Sequence, residues 1–201
     1  MTYERMHVDA LTFLRADHEA VLAMLESLEG PPPHDRERLA ARQETATALV
    51  RVESQHESIE EEVFWPAVRR ALDDGDELAD HAIEQETQAK LLLQTLEDHD
   101  AGSSDFEEAL DRFIPAAREH IAYEEHTVWP ALWARLDPEH RAALGEMLGA
   151  GHTTAPTRPH PHISPAAGIQ GTVGVVAAAL DKMRDKATGR GKAQPPEPPS
   201  V

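Results

Sequence analysis

His56 to Val68 reads HESIEEEVFWPAV, and His120 to Leu132 reads HIAYEEHTVWPAL. At an offset of 64 residues the coinciding positions include His56/His120, Glu60/Glu124, Trp65/Trp129, Pro66/Pro130 and Ala67/Ala131. At an offset of 63, Asp17-His18 recurs as Asp80-His81. The repeating unit is therefore a helical hairpin used twice, with a His on its first helix and His-x-x-x-Glu on its second. The His-to-His spacings agree, 38 residues from His18 to His56 and 39 from His81 to His120.

Working outward, the apolar period is helical and breakers divide it. A first helix is expected from Asp9 to Leu28, stopped by Gly30-Pro31-Pro32-Pro33. A second runs from Asp35 to Leu72, a third from Glu77 to Asp98, and a fourth from Ser104 or Asp105 to Leu136. A shorter helix starts at Asp137-Pro138, an N-cap followed by proline at the first helical position. Short loops between long helices make neighbours antiparallel, so the expected fold is an all-α, up-down-up-down four-helix bundle with a short fifth helix. Interior prolines at Trp65-Pro66 and Trp129-Pro130 are expected to kink the second and fourth helices alike, since proline removes a helix hydrogen bond.

Polar residues interrupt the apolar stripes at recurring places. On the first helix Leu11, Leu14, His18, Val21, Leu22, Leu25 and Leu28 share a face, with His18 where a leucine would fit. Leu49, Val52, His56, Glu60, Val63 and Ala67 share another, as do Leu110, Phe113, Ala117, His120, Glu124 and Ala131. The third helix presents Leu78, His81, Gln85, Gln88 and Leu92. Residues four apart on a helix lie one above the other, so each His-x-x-x-Glu pair can converge on one metal ion. No Lys or Arg occupies these stripes, and an unpaired buried carboxylate costs several kcal/mol. Inward side chains from all four helices are how bundles build metal sites. Four imidazoles with two carboxylates suit iron, manganese or zinc. Two ions, each with two His and sharing both carboxylates and a water-derived oxygen, would each keep an open position.

Composition narrows the field. The 201 residues carry 37 Asp and Glu against 19 Lys and Arg, a net charge of −18, which disfavours nucleic-acid binding. Absent cysteine removes disulfides, thiolate metal sites and cysteine nucleophiles. No stretch has the length and apolarity of a membrane span, and with no signal-like start the expected location is the cytoplasm. Residues 151–201 hold six Lys/Arg, three Asp/Glu and eight of the fifteen prolines. Taking that +3 from the total leaves −21 on residues 1–150. A domain boundary is therefore placed at 150, with 151–201 as a Pro/His-rich linker, a short helix and a basic tail. That helix, apolar first and basic after, is expected to pack on the acidic bundle; a membrane surface or a partner are the alternatives.

The ordered set His18, His56-x-x-x-Glu60, His81 and His120-x-x-x-Glu124 resembles the haemerythrin-like proteins with an HHE cation-binding domain, over roughly residues 7–148. The resemblance implies a non-haem di-iron centre in a four-helix bundle. Carried over position by position, His18 and His56 would hold one iron and His81 and His120 the other, bridged by Glu60 and Glu124. Oxygen-carrying members have a second His one turn after the third-helix His, where this chain has Gln85. That departure favours chemistry on small oxidants over reversible oxygen carriage. Carriers also place Asp five residues after the fourth-helix His; Glu125 sits there, but Glu124 keeps the shared face and mirrors Glu60.

Other residues receive plainer readings. Tyr123 is read as packing, Glu57 as a solvated helix face, and His126 and Glu62 as outward. Glu53-x-x-His56 fits the ferritin-like Glu-x-x-His pair, but Ala117 stands at the equivalent place before His120. His152, His160 and His162 are incidental to the linker. The functional expectation is a metal protein that binds or reacts with hydrogen peroxide, in catalase-like disproportionation, or with dioxygen. The alternative is a module that senses oxygen, nitric oxide or iron without turnover.

Overall fold

A computed structural model describes residues 9–161 and 173–188 of the chain. Helix α1 spans Ala10–Leu28, its first turn capped by the Asp9 side chain, which accepts from the Leu11 N–H. Helix α2 spans Arg36–Ile59 behind the Asp35 cap, passes through a wide π-turn at Glu60–Phe64, and continues as α3, Trp65–Ala71. Helix α4 covers Gly75–Asp98. Helix α5 covers Ser104–Tyr123 behind the Ser103 cap, and a second π-turn at Glu124–Val128 leads into α6, Trp129–Arg135. Helix α7 spans Pro138–Thr154 and α8 spans Val173–Thr188. No strand occurs among the described residues. This is the all-α bundle the periodicity predicts, with α1, α2–α3, α4 and α5–α6 as its four columns and α7 laid against α1 and the first π-turn.

The expected proline kinks take the form of the two π-turns. Proline has no N–H and its ring crowds the carbonyl four residues earlier. The helix widens just before it, so that the Trp65 N–H reaches Glu60 O and the Trp129 N–H reaches Glu124 O. Wide turns of this kind favour functional positions, and each here begins on the Glu of a His-x-x-x-Glu pair. Helix α4 starts two residues earlier than its sequence suggests, because Gly75 lets it abut α3. A Cβ there would strike the Val68 carbonyl and lie 2.8 Å from Arg69 Cα.

Two apolar clusters fill the bundle. One gathers Val21, Met24, Leu25, Leu49, Leu93, Leu96, Phe106, Leu110 and Phe113. The other gathers Leu14, Ile59, Phe64, Trp65, Val68, Ala79, Ala82, Trp129, Leu132, Leu144 and Leu148. Along every column the polar residues fall between them: His18 between Leu14 and Val21, His56 between Val50 and Ile59, Glu86 between Ala82 and Leu93, Glu124 between Ile121 and Val128. A polar layer therefore crosses an otherwise dry core.

The third column corrects the sequence-based stripe. Its buried face is Ala79, Ala82, Glu86, Leu93 and Leu96, one position on from the expected Leu78, His81, Gln85, Gln88 and Leu92. One residue is about 100° around a helix, and both registers carry a three-then-four pattern; the small alanines take the tighter contact. Helix α7 is longer than a short helix and runs through Gly149 and Gly151 to Thr154, so the composition shift there falls inside a helix. Among the described residues of α8, buried Asp181 and Asp185 face the segment before it. Asp181 accepts from the Thr157 N–H and lies 3.0 Å from His160 Nε2, while Asp185 accepts from Thr157 Oγ1–H and pairs with Arg158. Arg158 also pairs with Glu97 of α4, tying this segment to the bundle. His162 lies outside the described residues.

Candidate metal centre

Three imidazoles and two carboxylates meet in the polar layer. His18 Nε2 lies 3.2 Å from His56 Nε2 and 3.1 Å from Glu124 Oε2. His56 Nε2 is 3.2 Å from Glu60 Oε2, and His120 Nε2 is 3.1 Å from Glu124 Oε1. Yet both oxygens of Glu60, both of Glu124, and His120 Nε2 make no hydrogen bond of proper direction. These atoms are close to one another without the alignment of a hydrogen bond. Two ligands about 2.1 Å from a metal and at right angles to each other lie about 3.0 Å apart, close to these separations. His18, His56, Glu60 and Glu124 form one group with ligand atoms within 4.8 Å of each other; Glu60, Glu86, His120 and Glu124 form a second. Glu60 and Glu124 belong to both.

The far side of each ring is held as well. His18 Nδ1–H donates to Glu125 Oε1 at 3.0 Å, His56 Nδ1–H to Asp17 Oδ2 at 3.3 Å, and His120 Nδ1–H to Gln85 Oε1 at 3.1 Å. Committing the proton to Nδ1 leaves an Nε2 lone pair facing inward, the tautomer a metal ligand needs. His18 also stacks flat on Trp129, with ring centroids 4.9 Å apart and 10° between planes, which fixes its plane.

Electrostatics point the same way. Glu53, Glu57, Glu60, Glu86 and Glu124 are all buried within this layer. Burial pushes the carboxyls of Glu57 and Glu86 well above the usual range, and that of Glu53 up. Glu60 is also pushed well up, by burial first and then by the charges of Glu124 and Glu86. Glu124 runs opposite: burial would raise it, but His120 and His18 outweigh that and hold it well below. Burial lowers the two imidazoles, yet Glu124 overcomes it, raising His18 and bringing His120 to about 9. Lys90 sits between Glu57, at 4.0 Å, and Glu61. So many carboxylates in a dry layer call for more positive charge than one lysine, and this set fits bound metal cations.

A cavity of about 220 Å³ leads from the surface to this layer. Glu53, His56, Glu57, His18 and His120 reach into it, Val21, Phe113 and Ile121 form apolar wall, and His81 and Gln85 also border it.

Of the six residues the sequence nominates, His18, His56, Glu60, His120 and Glu124 are brought together. His81 is not: it is exposed and packs edge-on against Tyr123, centroids 4.6 Å apart. Tyr123 donates to the Leu78 carbonyl, in keeping with a packing role. Gln85 and Glu125 serve behind the imidazoles. His126 and Glu62 are exposed as expected; Glu57 is instead buried on the cavity. His152 packs edge-on with Phe13. Sequence reasoning missed Glu86, Lys90 and Asp17 as neighbours of the layer. Asp17 had a signal, its place in the repeated Asp-His pair; Glu86 had one only in the Ala79-Ala82-Glu86 register.

Comparison with known proteins agrees with this geometry. The Hemerythrin HHE cation binding domain family matches residues 9–132. An uncharacterized hemerythrin-like protein of Schizosaccharomyces pombe is 27% identical over 133 residues, 66% of this chain and 66% of that protein, just under two thirds of its length. The crystal structure of a Hemerythrin HHE cation binding domain-containing protein from Mycobacterium kansasii superposes with a TM-score of 0.60, covering 87% of this chain and 99% of that one. At 19% identity that likeness shows the fold.

Proposed function

This chain belongs to the hemerythrin HHE cation-binding domain family, and from that premise we propose that its polar layer holds two iron ions and reacts with small oxidants, hydrogen peroxide first and dioxygen second. One observation carries the reading. Four carboxylate oxygens, on Glu60 and Glu124, are buried without hydrogen bonds between His18 and His56 on one side and His120 on the other. Glu60 and Glu124 are then the shared ligands. The nitrogen and oxygen donors accept manganese or zinc as well, and iron is favoured for redox work.

Bound iron would supply the two-electron chemistry by which two molecules of peroxide become one of dioxygen and two of water. The chain's own part is access, orientation and protons. Asp17, Glu125 and Gln85 hold the ring planes through Nδ1. Val21, Phe113 and Ile121 keep the cavity wall apolar, and its volume admits peroxide, dioxygen or nitric oxide. Glu53 and Glu57 line that cavity with carboxyls that burial pushes up, which favours their protonated forms beside it. The net charge of −18 keeps nucleic acid away, and no helix among the described residues is long and apolar enough to cross a membrane.

A sensing role without turnover is the second reading, favoured by one contact. The π-turn bearing Glu60 packs on α7, where a Cβ at Gly151 would sit 3.4 Å from Ile59, and α7 leads into the segment clasped by α8. Oxygen evolution from peroxide by the iron-loaded chain, abolished in His56→Ala, supports the enzyme. A loaded chain that evolves none, but changes protease sensitivity after Thr154 on oxidation, supports the sensor and overturns the enzyme.

A further inference from the structure

The two halves of the layer are not copies. Helix α1 contributes His18, buried and stacked on Trp129. By the internal repeat, α4 should contribute His81 in the same relation to Trp65. Instead the Trp65 indole N–H donates to Glu86 Oε1 at 2.5 Å. Glu86 is 1% exposed, and its other oxygen, Oε2, has no partner. That side chain offers a ligand atom within 4.8 Å of those of Glu60, His120 and Glu124. Five residues separate His81 from Glu86, about 140° around the helix, so both cannot face the core. The alanines at 79 and 82 settle which does: they give α4 its close contact and put Glu86, not His81, inward.

We propose that Glu86 is the α4 ligand of the second metal ion, and that Trp65 is its positioning residue, holding one carboxylate oxygen so that the other faces the ion. This rests on the two-ion reading above. It makes the two positions chemically unlike: two imidazoles with two shared carboxylates in one, a single imidazole with three carboxylates in the other. The oxygen-rich position prefers harder ions, the nitrogen-rich one borderline ions such as zinc. The backing differs in the same sense, since carboxylates stand behind His18 and His56 and a neutral amide behind His120. Loading is therefore stepwise, and borderline ions such as zinc and ferrous iron fill the nitrogen-rich position first.

The test is calorimetric titration of the full metal-free chain with zinc, and anaerobically with ferrous iron, followed by elemental analysis. Wild type should take two ions in two unequal steps. Glu86→Gln should keep the first step and lose the second, ending near one ion per chain. His81→Ala, changing an exposed side chain, should keep both. Trp65→Phe removes the N–H and keeps an aromatic ring; it should weaken the second step about tenfold, within the range for groups that orient metal ligands. The first step should stay put, whereas a purely structural loss would weaken both steps together and lower the melting temperature. Two ions retained by Glu86→Gln, or one lost in His81→Ala, overturns this assignment and leaves the two-ion reading standing. If Glu86→Gln fails to fold, an unchanged second step in Trp65→Phe overturns it instead. A wild type that takes no ion removes both.

Discussion

Replacing Glu60 with Gln separates a metal ligand from a structural hydrogen-bonding residue. Glu60 is fully buried, and neither carboxylate oxygen makes a hydrogen bond. Its nearest imidazole nitrogen, His56 Nε2, lies 3.2 Å away and makes no hydrogen bond to it. Leaving a buried group unsatisfied costs about 1–3 kcal/mol, and the neighbouring Glu124 and Glu86 charges add to the strain on this one. Glutamine keeps the shape, carries no charge and can donate an N–H to Glu124. The metal-free variant should therefore be more stable than metal-free wild type by about 1–3 kcal/mol. For a domain of this size that raises the melting temperature by roughly 3–9 °C. With metal the order should reverse, since a ligand at a hundred times its dissociation constant stabilises by about 2.7 kcal/mol. Wild type gains that increment and Glu60→Gln gains little of it. Differential scanning calorimetry with chelator and then with metal reads both halves. A metal-free variant that melts lower than wild type, with the metal-induced rise intact, would refute the reasoning.

Three further outcomes follow from the geometry. His56→Ala should lose at least one ion per chain and its peroxide-dependent oxygen release while staying helical by circular dichroism; full metal retention would remove His56 from the site. The metal-free chain should lose stability as pH rises from about 4.5 to 9. Glu57, Glu60 and Glu86 are raised well above 4.5 and His18 and His120 above 6.5, His120 to about 9, so each contributes below its unfolded value and loses that as pH climbs through its folded one. Glu124, held low, opposes this only below its unfolded value of 4.5. Urea titrations at several pH values, flat or rising across that window, would contradict the sign. Gly75→Ala should cost about 1–3 kcal/mol by overpacking α4 against the Val68 carbonyl, read as a lower denaturation midpoint.

The bundle was legible because its signals are local and redundant: Asp9, Asp35 and Asp137 cap the helices they were expected to start, and Ser103 caps the one expected from Ser104 or Asp105. Most of the polar layer was legible because His18, the two His-x-x-x-Glu pairs and the aromatic-proline steps repeat in frame. What escaped depends on rotation and distance. The register of α4 turned on alanines, which look indifferent in a stripe and decide close packing in a bundle. That about 100° turn carried His81 out and Glu86 in. The π-turns were legible as proline effects but not as widenings that begin at Glu60 and Glu124. Lys90 escaped because a lysine is expected at the surface, and here two carboxylates draw it inward.

Anomalous diffraction at the iron absorption edge, from crystals of the full chain grown with ferrous salt, tests the central claim most directly. The account predicts two peaks inside the bundle, each against Glu60 and Glu124, one beside His18 and His56 and the other beside His120. Peaks confined to surface histidines, or none in the polar layer, would contradict it.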